Sequence, residues 1–270
     1  MSRATAMSCG TLLAMIVGLG QVAPAVAADA APPLRVGIAP NYPPLAFKEN
    51  GKLVGVEVDF ATRLGKTLGR QVVLVETPWE DLSKALLEEK TIDVVMSGTS
   101  ITEKRKEKVD FTHPYLQVGQ MVLIRNDEYP HLRTAKALDN KGIRVGFTSR
   151  TTSAHYAKDH LRHAQLQGFP DADAGVAALR NGQIDAFIAD APVVWRVTGG
   201  FGSRETQLRG LYTPLTKEEL AWAVRKGDTQ LRKQLNEVLA QWKKNGTIDD
   251  VLDDWITVKR TTIEVKPHGE

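Results

Sequence analysis

Ile92-Asp93-Val94-Val95-Met96-Ser97-Gly98-Thr99-Ser100-Ile101-Thr102 is a short apolar run that stops on hydroxyls and a glycine. A run of that length, bounded by turn residues, reads as a buried strand. Upstream, Val72-Val73-Leu74-Val75 and Leu34-Arg35-Val36-Gly37-Ile38 are two more. Helical patterns separate them. Val56, Phe60, Leu64 and Leu68 recur every fourth residue with Gly69 as the stop, and Leu82, Ala85 and Leu86 share a face. The order β-α-β-α-β predicts a parallel sheet covered by helices.

Downstream the pattern recurs. Gly142-Ile143-Arg144-Val145-Gly146 reads as a strand, 152–161 as a helix, 164–167 as a short strand and 171–180 as a helix. Ile184-Asp185-Ala186-Phe187-Ile188-Ala189 is the next strand. These are two α/β units in tandem, without a strict sequence repeat. Glu219-Leu220-Ala221-Trp222-Ala223-Val224 predicts one further strand. Asp228 is placed to cap a long amphipathic helix with Leu231, Leu235, Val238, Leu239 and Trp242 on one face and Gly246 at its end. A shorter helix covers 248–255, and the polar tail 259–270 is expected to be disordered.

The chain has 270 residues, 42% of them apolar and 25% charged, which excludes a collagen-like or low-complexity protein. The 35 basic and 32 acidic residues nearly cancel, so there is no basic field of the kind a nucleic-acid binder needs. Residues 1–28 read as a cleavable secretory signal: Arg3, an apolar stretch over 12–19, then Ala25-Val26-Ala27. The stretch is too short to span a bilayer. Cys9, the only cysteine, excludes a disulfide scaffold and a thiolate zinc site. The expected product is exported, and periplasmic in a bacterium with two membranes.

Ligands of open parallel sheets bind beyond the carboxyl ends of the strands. Those ends carry Ala39-Pro40-Asn41-Tyr42, Ser97-Gly98-Thr99-Ser100, Thr148-Ser149-Arg150-Thr151-Thr152-Ser153 and Asp190-Ala191-Pro192. Hydroxyls, glycine and proline dominate ordinary loops too, but their recurrence at matching places points to one shared site. Thr151 and Thr152 open a helix, where free N–H groups favour an anion. Arg105 can grip a carboxylate with two parallel hydrogen bonds, or stand as a solvated charge in Lys104-Arg105-Lys106. Asp190 can accept from an ammonium, or serve as a helix N-cap. A carboxylate grip on one unit and an ammonium grip on the other describe a site for a free α-amino acid, with Tyr42 and Trp79 as walls or as partly buried core.

With these residues in place, the sequence resembles the bacterial extracellular solute-binding proteins of family 3, the polar amino-acid receptors of ABC importers. The resemblance runs over about 33–257. It rests on Leu34-Arg35-Val36-Gly37 with Tyr42-Pro43-Pro44, Gly55-Val56-Glu57-Val58-Asp59, Trp79-Glu80-Asp81-Leu82 and the stretch 92–102 with Arg105. It continues through Val109-Asp110-Phe111-Thr112-His113-Pro114-Tyr115, Ile184-Asp185-Ala186 with Asp190, and Ala223-Val224-Arg225-Lys226-Gly227-Asp228. It implies the two-lobed α/β type II periplasmic-binding-protein fold, each lobe a mostly parallel sheet, with two hinge strands. Lobe 1 is expected over 32–121 plus 217–258 and lobe 2 over 122–216. It implies that Arg105 holds the ligand carboxylate, assisted by backbone near Gly98 and Ser100 and by the helix start at Thr152. Asp190 would hold the ammonium and Trp79 would cover the ligand. The implied partners are an amino acid and the membrane permease of an ABC importer, with a monomeric receptor, no cofactor and no nucleic acid.

The sequence departs from the pattern in two places. Several members that bind cationic amino acids carry an aspartate where this chain has Ala39, which argues against lysine, arginine or histidine as the ligand, with Glu57 as a candidate substitute. Many members have glycine where this chain has Arg150, which either reaches a ligand side chain or points to solvent. The same fold also serves periplasmic cyclohexadienyl dehydratases, to which Met96-Ser97-Gly98 is similar. Those enzymes place a glutamate where this chain has Val193, and valine cannot protonate a leaving hydroxyl. His160 and His163 lack a third metal ligand, and no GxSxG, P-loop or HExxH occurs.

Overall fold

The computed structural model describes Met1 and residues 31–128, 130–199 and 207–256. The signal reading over 1–28, save Met1, and the tail 259–270 lie outside the described residues. In chain order the first part holds β1 (Leu34–Ile38), β2 (Asn41–Tyr42), β3 (Ala46–Glu49), β4 (Lys52–Val54), α1 (Val56–Leu68), β5 (Val72–Glu76) and α2 (Leu82–Leu87). It continues with β6 (Val94–Val95), α3 (Glu103–Lys106), β7 (Val109–Phe111) and β8 (Leu116–Val118). The middle holds β9 (Gln120–Arg125), α4 (Ala135–Leu138), β10 (Arg144–Thr148), α5 (Thr152–His160), β11 (Gln165–Phe169), α6 (Ala172–Arg180), β12 (Ala186–Asp190), α7 (Ala191–Thr198) and β13 (Leu208–Leu211). The chain returns as β14 (Glu218–Leu220), β15 (Ala223–Arg225), α8 (Thr229–Asn245) and α9 (Thr247–Trp255).

Two five-stranded sheets result, ordered β5-β1-β6-β15-β7 and β11-β10-β12-β9-β13. Each runs mostly parallel, with one reversed strand second from an edge: β15 in the first and β9 in the second. The chain crosses between the sheets twice. The crossings pair antiparallel as β8 and β14, with Glu218 opposite Val118 and Leu220 opposite Leu116. These are the two hinge strands of a two-lobed molecule.

Strands buried on both faces read as continuous apolar runs rather than as alternation, and β9 shows why. Met121 and Leu123 pack into one core of the second lobe, while Val122 and Ile124 pack into the core on the opposite face. In the first lobe, Leu34, Val36 and Ile38 of β1 face the larger core. That core includes the aromatic ring of Phe60, whose centroid lies 5.3 Å from Tyr115, 6.0 Å from Trp222 and 5.8 Å from Trp242. Asp228 caps α8 by accepting from the Leu231 N–H at 3.2 Å, an interaction worth about 1 kcal/mol.

One arrangement occurs in both lobes. Arg35, on β1, donates from its backbone N–H, its Nε and its Nη2 to Asp93 at 2.7–3.1 Å. Arg144, on β10, donates from the same three groups to Asp185 at 2.6–3.0 Å. A second arginine locks each pair. Arg225 reaches the Ile92 carbonyl at 2.7 Å and Asp93 at 3.1 Å, while Arg125 reaches the Ile184 carbonyl at 2.5 Å and Asp185 at 3.4 Å. Burial alone would push the Asp93 carboxyl up. The Arg35 and Arg225 hydrogen bonds outweigh it and hold the group at about 2.

The strand expected over 219–224 is two strands instead. Between them the Ala221 N–H turns to the Thr99 carbonyl and the Trp222 N–H to the Thr112 hydroxyl, so the backbone leaves the hinge ladder for the first sheet. Among the described residues, no helix is long and apolar enough to cross a membrane.

Candidate functional site

The carboxyl ends of β1, β6, β10, β11 and β12 converge on one walled space between the lobes. Its first-lobe side is formed by Ala39, Asn41, Tyr42, Trp79, Gly98, Ser100 and Arg105. Its second-lobe side is formed by Thr148, Thr151, Thr152, Ser153, Asp171, Asp190 and Val193. Eight of the eleven residues singled out from the sequence border this space: Tyr42, Trp79, Gly98, Ser100, Arg105, Thr151, Thr152 and Asp190. The end of β11, with Pro170 and Asp171, joins them without having been expected.

Arg105 is half-buried rather than solvated. Its Nη1 donates to the Ser100 carbonyl at 2.8 Å, and its guanidinium lies 5.4 Å from the centre of the Trp79 ring. Burial lowers its pKa, while the facing Asp190, Glu218 and Tyr42 act in the opposite direction. Asp190 occupies the N-cap position of α7, yet its side chain makes no cap bond. It accepts instead from the Tyr42 hydroxyl at 2.5 Å and from the Gln120 amide. Burial, with the Glu218 charge, raises the Asp190 carboxyl to about 6 against the hydrogen bonds from Tyr42 and Gln120. Burial and the Asp190 charge hold the Tyr42 phenol well above its usual range, so it remains a donor.

Thr151 sits at the N-cap of α5 with its hydroxyl on the Thr148 carbonyl at 2.7 Å, and the Thr152 hydroxyl accepts from Gln120 at 3.0 Å. The first-turn N–H groups of α5 therefore open toward the cleft. Trp79 Nε1 donates to the Arg150 carbonyl at 3.2 Å and closes the mouth between the lobes. Arg150 takes part through that carbonyl. Its side chain is exposed and its φ is +59°, a conformation that glycine adopts without strain.

Two other residues sit differently from their expected roles. Ser97 is fully buried and accepts the Ala39 N–H at 3.0 Å, joining the ends of β6 and β1. Thr99 is buried and borders a neighbouring cavity rather than this space. Gly98, at φ +62°, passes so close to Tyr42 that a Cβ would lie 2.6 Å from its ring, and its N–H already donates to Glu57 at 2.6 Å. Glu57 is no substitute for the missing acid at Ala39. It is fully buried, accepts from Gly98, from the Tyr115 hydroxyl at 2.7 Å and from Trp222 Nε1 at 3.0 Å, and does not border this space. Burial raises it to about 7 despite these three donors.

Sequence reasoning missed Gln120 and Glu218. Gln120 opens β9, and its amide joins Thr152, Asp190 and Glu218 across the hinge. A polar residue heading the apolar run Met121-Val122-Leu123-Ile124 was the available signal. Glu218, in Lys217-Glu218-Glu219, reads as a solvated charge, yet it is buried. His160 and His163 do not converge. The His160 ring stacks on Tyr156 at 4.4 Å, and His163 pairs with Asp139 at 2.9 Å. Among the described residues, no cluster of three metal-ligating side chains occurs.

The chain is 31% identical over 223 residues to the L-cystine-binding protein TcyJ of Escherichia coli, covering 82% of each. Among solved structures it is similar to a Wolinella succinogenes protein complexed with lysine (31% identity, 86% of this chain and 98% of that one, TM-score 0.80). It is also similar to the ancestral amino acid-binding protein AncCDT-1, a precursor of cyclohexadienyl dehydratase (34% identity, 83% and 94%, TM-score 0.76). The family model for bacterial extracellular solute-binding proteins, family 3, matches residues 34–258. With two lobes, two hinge strands and a cleft at the strand ends, the chain belongs to that family.

Proposed function

We propose that this protein is the periplasmic receptor of an amino-acid ABC importer, closing around one free α-amino acid and delivering it to a membrane permease. One observation carries the reading. Arg105 from the first lobe and Asp190 from the second border the same walled space, a cation and an anion placed for a carboxylate and an ammonium. The guanidinium fork takes the carboxylate, with the α5 N-terminus adding its dipole. Asp190 takes the ammonium, and Trp79 roofs the ligand. Because the contacts come from both lobes, the ligand favours the closed arrangement by differential affinity. The named ligands of the relatives, cystine and lysine, are consistent with an amino-acid site.

The same reading takes 1–28 as the export signal, a monomer as the working form, and 32–121 plus 217–258 and 122–216 as the lobes. The pairing of β9 with β12 from Gln120 onward favours a first crossing at Gly119. Val193, buried and bordering the cleft, favours binding over dehydration, since no acid stands there.

A thermal melt with each of the twenty amino acids, and with prephenate and arogenate, tests the reading. Ligand at a thousand times its Kd stabilises by about 4 kcal/mol, so the melting temperature should rise by several degrees for one or a few amino acids. A melt that moves with none of them overturns the proposal. Conversion of prephenate to phenylpyruvate would replace it with the dehydratase.

A further inference from the structure

Behind Arg105 and Trp79 a second cavity of about 660 Å³ opens between the first lobe and α5. Leu86, Ile101 and Phe111 give it an apolar wall, and Thr99 and Glu218 a polar one. Both polar residues are more than nine-tenths buried. The Thr99 hydroxyl and Glu218 Oε2 have no hydrogen-bond partner, nor has the Oε1 of neighbouring Gln120. The other Glu218 oxygen is taken by Thr216 at 2.7 Å and Gln120 at 3.1 Å, which fixes the free one in place. Two of these, Glu218 Oε2 and the Thr99 hydroxyl, belong to residues that border the cavity, and leaving them unpartnered is costly unless something that occupies it bonds to them.

The buried charges agree. Arg105 faces two carboxylates, Asp190 and Glu218. The other charged residues bordering the cavity, Lys104, Lys108, Arg150, Asp159 and Lys217, are exposed, and solvent screens them. A zwitterion adds equal charges and leaves one negative charge in excess. A ligand with one further positive charge cancels it.

We propose that Glu218, with Thr99, accepts a positively charged group, ammonium or guanidinium, at the distal end of the bound amino acid. The ligand class is then the cationic amino acids, recognised from the hinge strand instead of from position 39 or 57. The inference rests on the amino-acid reading above and adds its side-chain specificity.

Titration calorimetry with lysine and arginine, against norleucine and glutamine, tests it. The wild type should bind lysine or arginine at least tenfold more tightly than norleucine, which lacks the distal ammonium. Glu218→Gln keeps the shape and the bonds to Thr216 and Gln120. It should abolish that preference, lowering lysine or arginine affinity at least tenfold more than norleucine affinity. Thr99→Val, nearly isosteric at an atom without a partner, should reduce the preference in the same direction and serves if Glu218→Gln fails to fold. A wild type that prefers neutral amino acids overturns the inference and leaves the receptor reading standing. Equal losses for both ligand classes in Glu218→Gln also overturn it, making Glu218 a hinge residue only. A wild type that binds no amino acid overturns both.

Discussion

The Tyr42 hydroxyl donates to the Asp190 carboxylate at 2.5 Å, from one lobe to the other. The acid assigned to the ligand ammonium is thus already tied to the opposite wall of the cleft. Its carboxyl lies at about 6, raised by burial and by Glu218. An ammonium needs the ionised form. Amino-acid affinity should therefore hold constant between pH 7 and 8 and fall below pH 6, approaching tenfold per unit. Asp190→Asn should bind more weakly and lose this slope. Calorimetry from pH 5 to 8 measures both, and a slope that survives in Asp190→Asn removes the residue from the role.

Arg105→Ala should cost about 2–5 kcal/mol of binding, because it leaves a buried ligand carboxylate unpaired. That is a loss of roughly 30-fold to several thousand-fold in Kd. Arg105→Lys keeps the charge without the fork and should fall between. Unchanged affinity in the alanine variant would sink the carboxylate assignment.

Trp79→Phe keeps the aromatic roof and removes the bond to the Arg150 carbonyl. One neutral hydrogen bond is worth about 0.5–1.5 kcal/mol, so dissociation should accelerate about 2- to 12-fold with little change in association, readable by stopped flow. Arg150→Gly keeps that carbonyl and relieves φ +59°. It should leave affinity within about twofold, whereas a large loss would mean that the guanidinium reaches the ligand.

Asp93→Asn should lower stability by about 1–2 kcal/mol without moving ligand affinity, the solvent around half-exposed Arg35 limiting the effect. The folded-state pKa of Asp93 is depressed to about 2 from the usual 3.8. Its contribution is full above the unfolded value and is lost as pH falls from about 4 to 2. Acid melts of the wild type and of Asp93→Asn should converge over that window.

Glu57 has the opposite sign. Its folded-state pKa, about 7, lies above the usual 4.5 because of burial. Between these values the native state holds a proton that the unfolded chain has released, so stability should fall as pH rises from about 4.5 to 7. Asp190 adds to that slope, and saturating ligand should remove its share. Urea denaturation at pH 5 and pH 7, with and without ligand, separates the two.

Apolar spacing located α1, α8 and the strands β1, β5, β6, β10 and β12 of the two sheet–helix sandwiches, but no strand was read over β9, although it is buried on both faces. It could not find β2, β3 and β4, whose short mixed runs pair only with one another, nor the break at Ala221-Trp222, which a partner 110 residues away dictates. The strand-end rule led to Tyr42, Gly98, Ser100, Thr151, Thr152 and Asp190, which the fold brings to the border of one space together with Arg105. Ser97 stands at a strand end, yet its hydroxyl bonds to the fold, and Glu57, raised only as a substitute for the acid absent at Ala39, bonds to the fold as well. The rule passed over Gln120 and Glu218, because hinge strands lie outside it and a charged dipeptide looks solvated until the backbone buries it.

The twin arginine–aspartate braces stand at the starts of β1 and β10, and the cleft lies past their ends. A five-residue strand puts about 15 Å between the two. What keeps each lobe folded is therefore separate from what chooses the ligand. Descendants of this sequence can trade exposed residues at the cleft, such as 150, with both braces left in place, and grafting another relative's cleft loops onto these braces is a sound engineering route.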